Sequence, residues 1–121
     1  MEQIKLYDSE LKLMELIWQQ EEQKTAKQIS IIASEIIGWN KNTTYTVLKK
    51  LVGKGAIERI EPNFMCKPII TREQVQLDET RKLINKLYDG SMKTFFASFL
   101  KKEHLSKEEI EELKDIINKE L

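Results

Sequence analysis

From Trp39 to Arg59 the chain reads WNKNTTYTVLKKLVGKGAIER. Val47, Leu48 and Leu51 fall three or four residues apart, so they share one face of a helix. Asn42, Thr43, Tyr45, Thr46, Lys49 and Lys50 are left to point elsewhere. Gly53-Lys54-Gly55 then stops the helix, and two short β-prone runs follow, Ala56–Ile60 and Phe64–Ile70. Glu61-Pro62-Asn63 between them suits a tight turn, so the segment predicts a β-hairpin. A helix with one apolar face, stopped by glycine and feeding directly into a hairpin, admits few folds.

The residues before it narrow the choice further. Asp8 is expected to cap a first helix whose apolar stripe is Leu11, Met14, Ile17 and Trp18. Glu21-Glu22-Gln23-Lys24 is a polar break. Thr25 with Gln28 fits a capping box, opening a second helix with Ile29, Ile32, Ala33 and Ile36 inward and Gly38 as its stop. Asn40 or Asn42 is expected to cap the third. Three helices and a hairpin describe a winged helix-turn-helix, in which the third helix enters the DNA major groove and the hairpin, or wing, lies beside it. The expected fold is therefore mainly α with a small β-hairpin. The winged helix takes residues 1–71 and a helical arm takes 72–121.

The polar face of the third helix fits that reading. Asparagine and threonine read base edges, and lysines neutralise phosphates on either side. The chain carries 20 basic and 20 acidic residues, but they are segregated. Residues 41–59 hold Lys41, Lys49, Lys50, Lys54 and Arg59 against Glu58, a net of +4. Residues 101–121 hold five lysines against seven acids, a net of −2. The expected DNA-binding set is Lys41, Asn42, Thr43, Tyr45, Thr46, Lys49, Lys50, Lys54 and Arg59. The competing reading is a winged helix reused as a protein-interaction module. A docking helix, however, more often replaces such cations with apolar residues.

The arm reads as helix throughout, in the segments Arg72–Tyr88, Ser91–Lys102 and one opened by a Ser106–Glu109 capping box, with Asp89-Gly90 as a break. Phe95, Phe96 and Phe99 lie within five residues, too much apolar area for a lone surface helix. Some 50 residues in three short helices bury little by themselves. Packing against the same arm of a second chain resolves this, with Leu83, Leu87, Phe95, Phe96, Ile110, Leu113 and Ile117 as the expected interface. A helix-turn-helix usually reads a two-fold operator as a pair.

Nothing in the sequence points to an enzyme. It has no P-loop, GxGxxG or GxSxG motif. His104 is the only histidine and stands among charges; Cys66 is the only cysteine. One of each cannot make a tetrahedral zinc site, and no cofactor is expected. A lone cysteine cannot close an internal disulfide, which fits a reducing cytoplasm. No stretch approaches the roughly 20 apolar residues of a membrane span, and no signal peptide is expected.

The succession of motifs resembles the BlaI/MecI penicillinase repressors over nearly the whole chain. It comprises Trp18, then Trp39 with Thr43, Thr46, Leu48, Leu51 and Lys54-Gly55-Ala56, then Phe95–Leu100 and the closing Leu105-Ser106-x-Glu108-Glu109-Ile110-x-Glu112-Leu113. The resemblance implies a homodimeric repressor of a palindromic operator in β-lactam-resistance-type operons. It also implies inactivation by a cut in the arm once a membrane sensor-protease detects the antibiotic, here at Ser98–Phe99. A same-family repressor answering another signal is the alternative. Lys41 stands where many members have proline, and Lys50 where they usually have arginine. The family's glycine-arginine wing tip has no clear equivalent in Glu61-Pro62-Asn63-Phe64. The paired Cys-x-Cys motifs of the related copper-responsive repressors are absent.

Overall fold

The computed structural model describes residues 4–120, which form two compact units, one running to Asp78 and the other starting at Glu79. In the first, α1 (Asp8–Trp18), α2 (Ala26–Ile36) and α3 (Lys41–Gly53) enclose one core, backed by β1 (Lys24–Thr25), β2 (Ile57–Ile60) and β3 (Met65–Pro68). The sheet is antiparallel in the order β1-β3-β2. The core gathers Leu13, Met14, Leu16 and Ile17 of α1, Ala26, Ile29 and Ala33 of α2, and Val47, Leu48 and Leu51 of α3. Ala56, Ile57, Phe64 and Cys66 close it from the hairpin side.

Local chemistry sets the helix ends. The Thr25 Oγ1 accepts from the Gln28 N–H at 3.2 Å, and the Gln28 Oε1 accepts from the Thr25 N–H at 2.9 Å, completing the expected capping box. Asn40, not Asn42, caps α3: its Oδ1 accepts from the Thr43 N–H at 2.8 Å. Gly38 and Gly55 take φ of +80° and +79°, the left-handed backbone that ends α2 and α3 without a Cβ clash.

Several expectations are corrected. Tyr7, not Asp8, is the N-cap of α1, because the Glu10 carboxylate reaches back to the Tyr7 N–H at 2.8 Å. The buried arc of α1 is wider than the expected stripe. Leu13 and Leu16 join Met14 and Ile17 in the core, while Leu11 and Trp18 are half-buried. Trp18 stays at the rim because its indole N–H needs an acceptor, found in the Ile70 carbonyl at 3.0 Å. Ile36 is exposed: α2 runs past the core edge there, and Ile37, beyond the helix end, packs instead. The polar break at residues 21–24 ends in β1, whose Lys24 and Thr25 pair with Cys66 and Met65. Two residues are too few to leave a period-2 signal.

α4 (Arg72–Tyr88) is continuous. Its first turns belong to the first unit, where Val75 is buried and Arg72 pairs with Glu15 at 3.0 Å. The second unit continues with α5 (Met92–Lys102), capped by Ser91, and α6 (Lys107–Glu120), opened by the Ser106–Glu109 box. Asp89 and Gly90 both take positive φ at the break between α4 and α5.

Candidate nucleic-acid interface

α3 carries two faces of opposite chemistry. Thr44, Val47, Leu48 and Leu51 are buried, and Thr44 turns its hydroxyl to the Asn40 carbonyl at 3.3 Å. On the other side Asn42, Thr43, Thr46, Lys49 and Lys50 are exposed, with Lys41 at the N-terminal end. Spacings of three, four and seven residues place Asn42, Thr46, Lys49 and Lys50 on one strip along the helix. The Asn42 carboxamide offers donor and acceptor together, the pair that matches an adenine edge. Thr46 Oγ1 donates to the Asn42 carbonyl at 2.9 Å, which leaves its lone pairs and methyl for a partner.

Three of the nine residues expected here are otherwise engaged. Tyr45 is half-buried on the flank of α3. Its ring meets Phe64 of the hairpin edge-on at 6.2 Å, under the Lys41 ammonium at 5.8 Å. Lys54 lies at the C-cap, and its Nζ donates to Glu10 Oε1 at 2.6 Å and to the Lys5 carbonyl at 2.8 Å, over the Tyr7 ring at 4.5 Å. Arg59 stacks on Phe64, its guanidinium carbon 3.9 Å from the ring centroid, and pairs with Glu61. The strip therefore gathers Lys41, Asn42, Thr43, Thr46, Lys49 and Lys50, without Lys54 or a free Arg59.

Glu10 was not among the expected site residues. It is 2% exposed and lies 44 residues before Lys54, so no sequence pattern links the two. Burial alone raises its carboxyl pKa. The Lys54 and Tyr7 hydrogen bonds, with the charges of Lys54 and Lys50, outweigh burial and hold it below the usual carboxylate range. Oε2 is buried without a hydrogen-bond partner among the described residues, so the polar contacts of the carboxylate, from Lys54 and the Tyr7 N–H, all fall on Oε1. Lys54 thereby ties the C-terminal end of α3 to the chain before α1.

The Cys66 thiol packs into the sheet with its Sγ 3.8 Å from the Phe64 carbonyl, and burial pushes its pKa up to about 11. It is thus a protonated wall residue rather than a nucleophile. Among the described residues no cluster of His, Cys, Asp and Glu can hold a metal ion, and no helix is long and apolar enough to cross a membrane.

The second unit has a different surface. None of the residues of α5 or α6 is buried. Leu83, Leu87, Phe96, Phe99, Leu100, Ile110, Ile116 and Ile117 are each at least 40% exposed. Phe95 is half-buried as the hub of an aromatic cluster, with Tyr88, Phe96 and Phe99 centroids at 5.3, 5.4 and 5.8 Å. Leu113 is likewise half-buried, beside an open groove lined by Leu100, Leu105, Ile110 and Ile117. Ser98 and Phe99 lie inside α5, with Ser98 half-buried.

Residues 6–119 match the family model described as penicillinase repressor. The chain belongs to the penicillinase repressor family. That makes it a member of a family of transcriptional repressors, not of enzymes. It is 30% identical over 113 residues to the methicillin resistance regulatory protein MecI of Mammaliicoccus sciuri, covering 92% of this chain and 91% of that one. It is 28% identical over 118 residues to a penicillinase repressor of Staphylococcus aureus, covering 96% and 93%. Among solved structures it is similar to the DNA-binding domain of the repressor BlaI in solution. The TM-score is 0.54 at 26% identity, over 61% of this chain and 93% of that domain. The winged-helix architecture and the family expected from the sequence both hold.

Proposed function

We propose that this chain is a homodimeric repressor that binds duplex DNA at a palindromic operator of a β-lactam-resistance-type operon, with α3 in the major groove. The observation that carries the reading is the exposed strip of α3. Asn42, Thr43 and Thr46 stand at its centre, and among the described residues Lys41, Lys49 and Lys50 around them have no carboxylate paired to them by a salt bridge. In this reading the three polar side chains meet base edges and the three lysines meet phosphates. The winged helix of residues 1–71 is the DNA-binding part, residues 72–121 are the dimerisation arm, and the protein works in the cytoplasm.

The exposed apolar residues of the arm support the dimer. Leu83, Leu87, Phe95, Phe96, Ile110, Leu113 and Ile117 are the side chains proposed to meet their counterparts in a second copy. The off-switch we propose is cleavage of the Ser98–Phe99 bond through a membrane sensor-protease pathway. The cut detaches α6 and part of the phenylalanine cluster from the DNA-binding half. Two linked half-sites hold DNA with an effective-concentration advantage of roughly 10²–10⁴, which is lost with the dimer.

DNase I footprinting of the region upstream of the chain's own gene tests the operator, and a protected two-fold sequence is the expected result. No protection at micromolar protein contradicts the reading. Mass spectrometry of the protein from β-lactam-treated cells tests the switch. Fragments ending at Ser98 and beginning at Phe99 are expected, and an intact chain throughout induction rules the cut out.

A further inference from the structure

In the turn of the hairpin, Glu61 Oε1 accepts from the Arg59 Nε–H, and its Oε2 accepts from the Phe64 main-chain N–H at 3.4 Å. A guanidinium and a main-chain N–H converging on one anion is the donor set with which proteins take a nucleic-acid phosphate. The site is built from the recognition helix outward. Lys41 covers Tyr45, Tyr45 meets Phe64 edge-on, and Arg59 stacks on Phe64. Arg59 is thus fixed on the side of the wing that adjoins the first turns of α3. Phe64 holds φ of +51°, unusual for an aromatic residue, and that turn keeps its N–H and ring in place.

We propose that Glu61 is a tethered anion occupying the wing's own phosphate site, so that the wing adds no net phosphate contact when this chain binds DNA. The proposal rests on the DNA-binding reading of α3 given above. Glu61 is 59% exposed and Arg59 45%, so the pair is a weak one taken alone, and a duplex phosphate has the charge to compete for the arginine. The carboxylate, however, stands only two residues away in the same turn. Once displaced it stays beside the incoming phosphate and repels it, which cancels what the guanidinium gains. From Ile57 to Pro68 the charges are Glu58, Arg59, Glu61 and Lys67, so the wing carries no surplus of positive charge to offset this.

The test is the salt dependence of duplex binding for the full-length protein and four variants, each checked for folding by circular dichroism. Glu61→Gln removes the charge and keeps a carbonyl acceptor for the turn. It should bind several-fold more tightly and steepen the slope of log Kobs against log salt by about 0.9 per protomer, one added phosphate contact. Arg59→Ala in the wild-type background should leave the slope unchanged, and Glu61→Gln with Arg59→Ala should return to the wild-type slope. Glu58→Gln makes the same charge change one residue before Arg59, where it faces Lys67 across the hairpin, and should leave the slope unchanged. An unaltered slope in Glu61→Gln, or a slope that falls by one contact in Arg59→Ala, overturns the proposal while leaving DNA binding by α3 intact. Wild-type protein that bound no duplex at all would sink both together.

Discussion

Thr46 donates its hydroxyl hydrogen to the Asn42 carbonyl, so what it offers a base pair is an acceptor lone pair and a methyl group. Those suit an adenine or cytosine amino group, or a thymine methyl. Thr46→Ala should therefore change discrimination at one position by roughly 1–3 kcal/mol and leave binding to unrelated duplex alone. Competition with singly substituted operators measures this, and an unchanged preference at every position argues against base contact. Lys54 has a different task. It is the cation facing a buried carboxylate, and Lys54→Met should cost on the order of 3 kcal/mol at neutral pH because Glu10 is left buried and unpaired. The folded-state pKa of Glu10 is depressed, so the stability it contributes is complete above its unfolded value, about 4.3. It is lost as the pH falls through the lower folded value. The deficit of Lys54→Met should thus shrink in acid, as its carboxyl takes up a proton. Urea denaturation at pH 7 and at pH 4 checks the sign, and a deficit independent of pH contradicts it.

At the scale of elements, α3 ends in a helical glycine that nothing crowds. A Cβ added at Gly53 meets no atom of the described residues within 4 Å, and its backbone is not left-handed. Gly53→Ala should raise stability by about 0.5–1 kcal/mol, whereas Gly55→Ala, at φ of +79°, should lower it. Thermal denaturation of the two variants tests the contrast. Most caps and stops are local and were legible in the sequence; the cap of α1 was not, because Tyr7 holds that place through its main-chain N–H and Glu10 rather than through a typical capping side chain. Thr25 with Gln28, Ser106 with Glu109, and the glycines at 38 and 55 lie within a turn of the ends they set. The winged-helix order was legible for the same reason. The candidate site was legible only in part. The exposed strip of α3 follows from helical spacing, but the withdrawal of Lys54 depends on Glu10, and that of Arg59 on how the turn folds Glu61 back. β1 exists only because β3 offers it a main-chain ladder, and Ile36 stands outside the core because α2 outruns it. Those outcomes belong to tertiary packing, which spacing does not report.

At the scale of the whole molecule, the second unit exposes aliphatic and aromatic side chains along all three of its helices. If a second copy covers them, the interface should bury on the order of 2,000 Å² or more. A truncation ending at Asp78 keeps the Arg72–Glu15 pair and the buried Val75, and so should remain folded. It should sediment as a monomer and bind a half-site weakly, while the full chain sediments as a dimer at micromolar concentration. A monomeric full-length chain would mean that the arm does not pair two copies. In the proposed complex the open face of α3 neutralises phosphates, and the salt dependence of duplex binding reads that contact. Lys49→Ala and Lys50→Ala should each weaken binding to all duplexes and reduce the slope of log Kobs against log salt by about 0.9 per protomer, near two for a dimer. Slopes that match the wild type in both variants would mean that this face does not meet DNA.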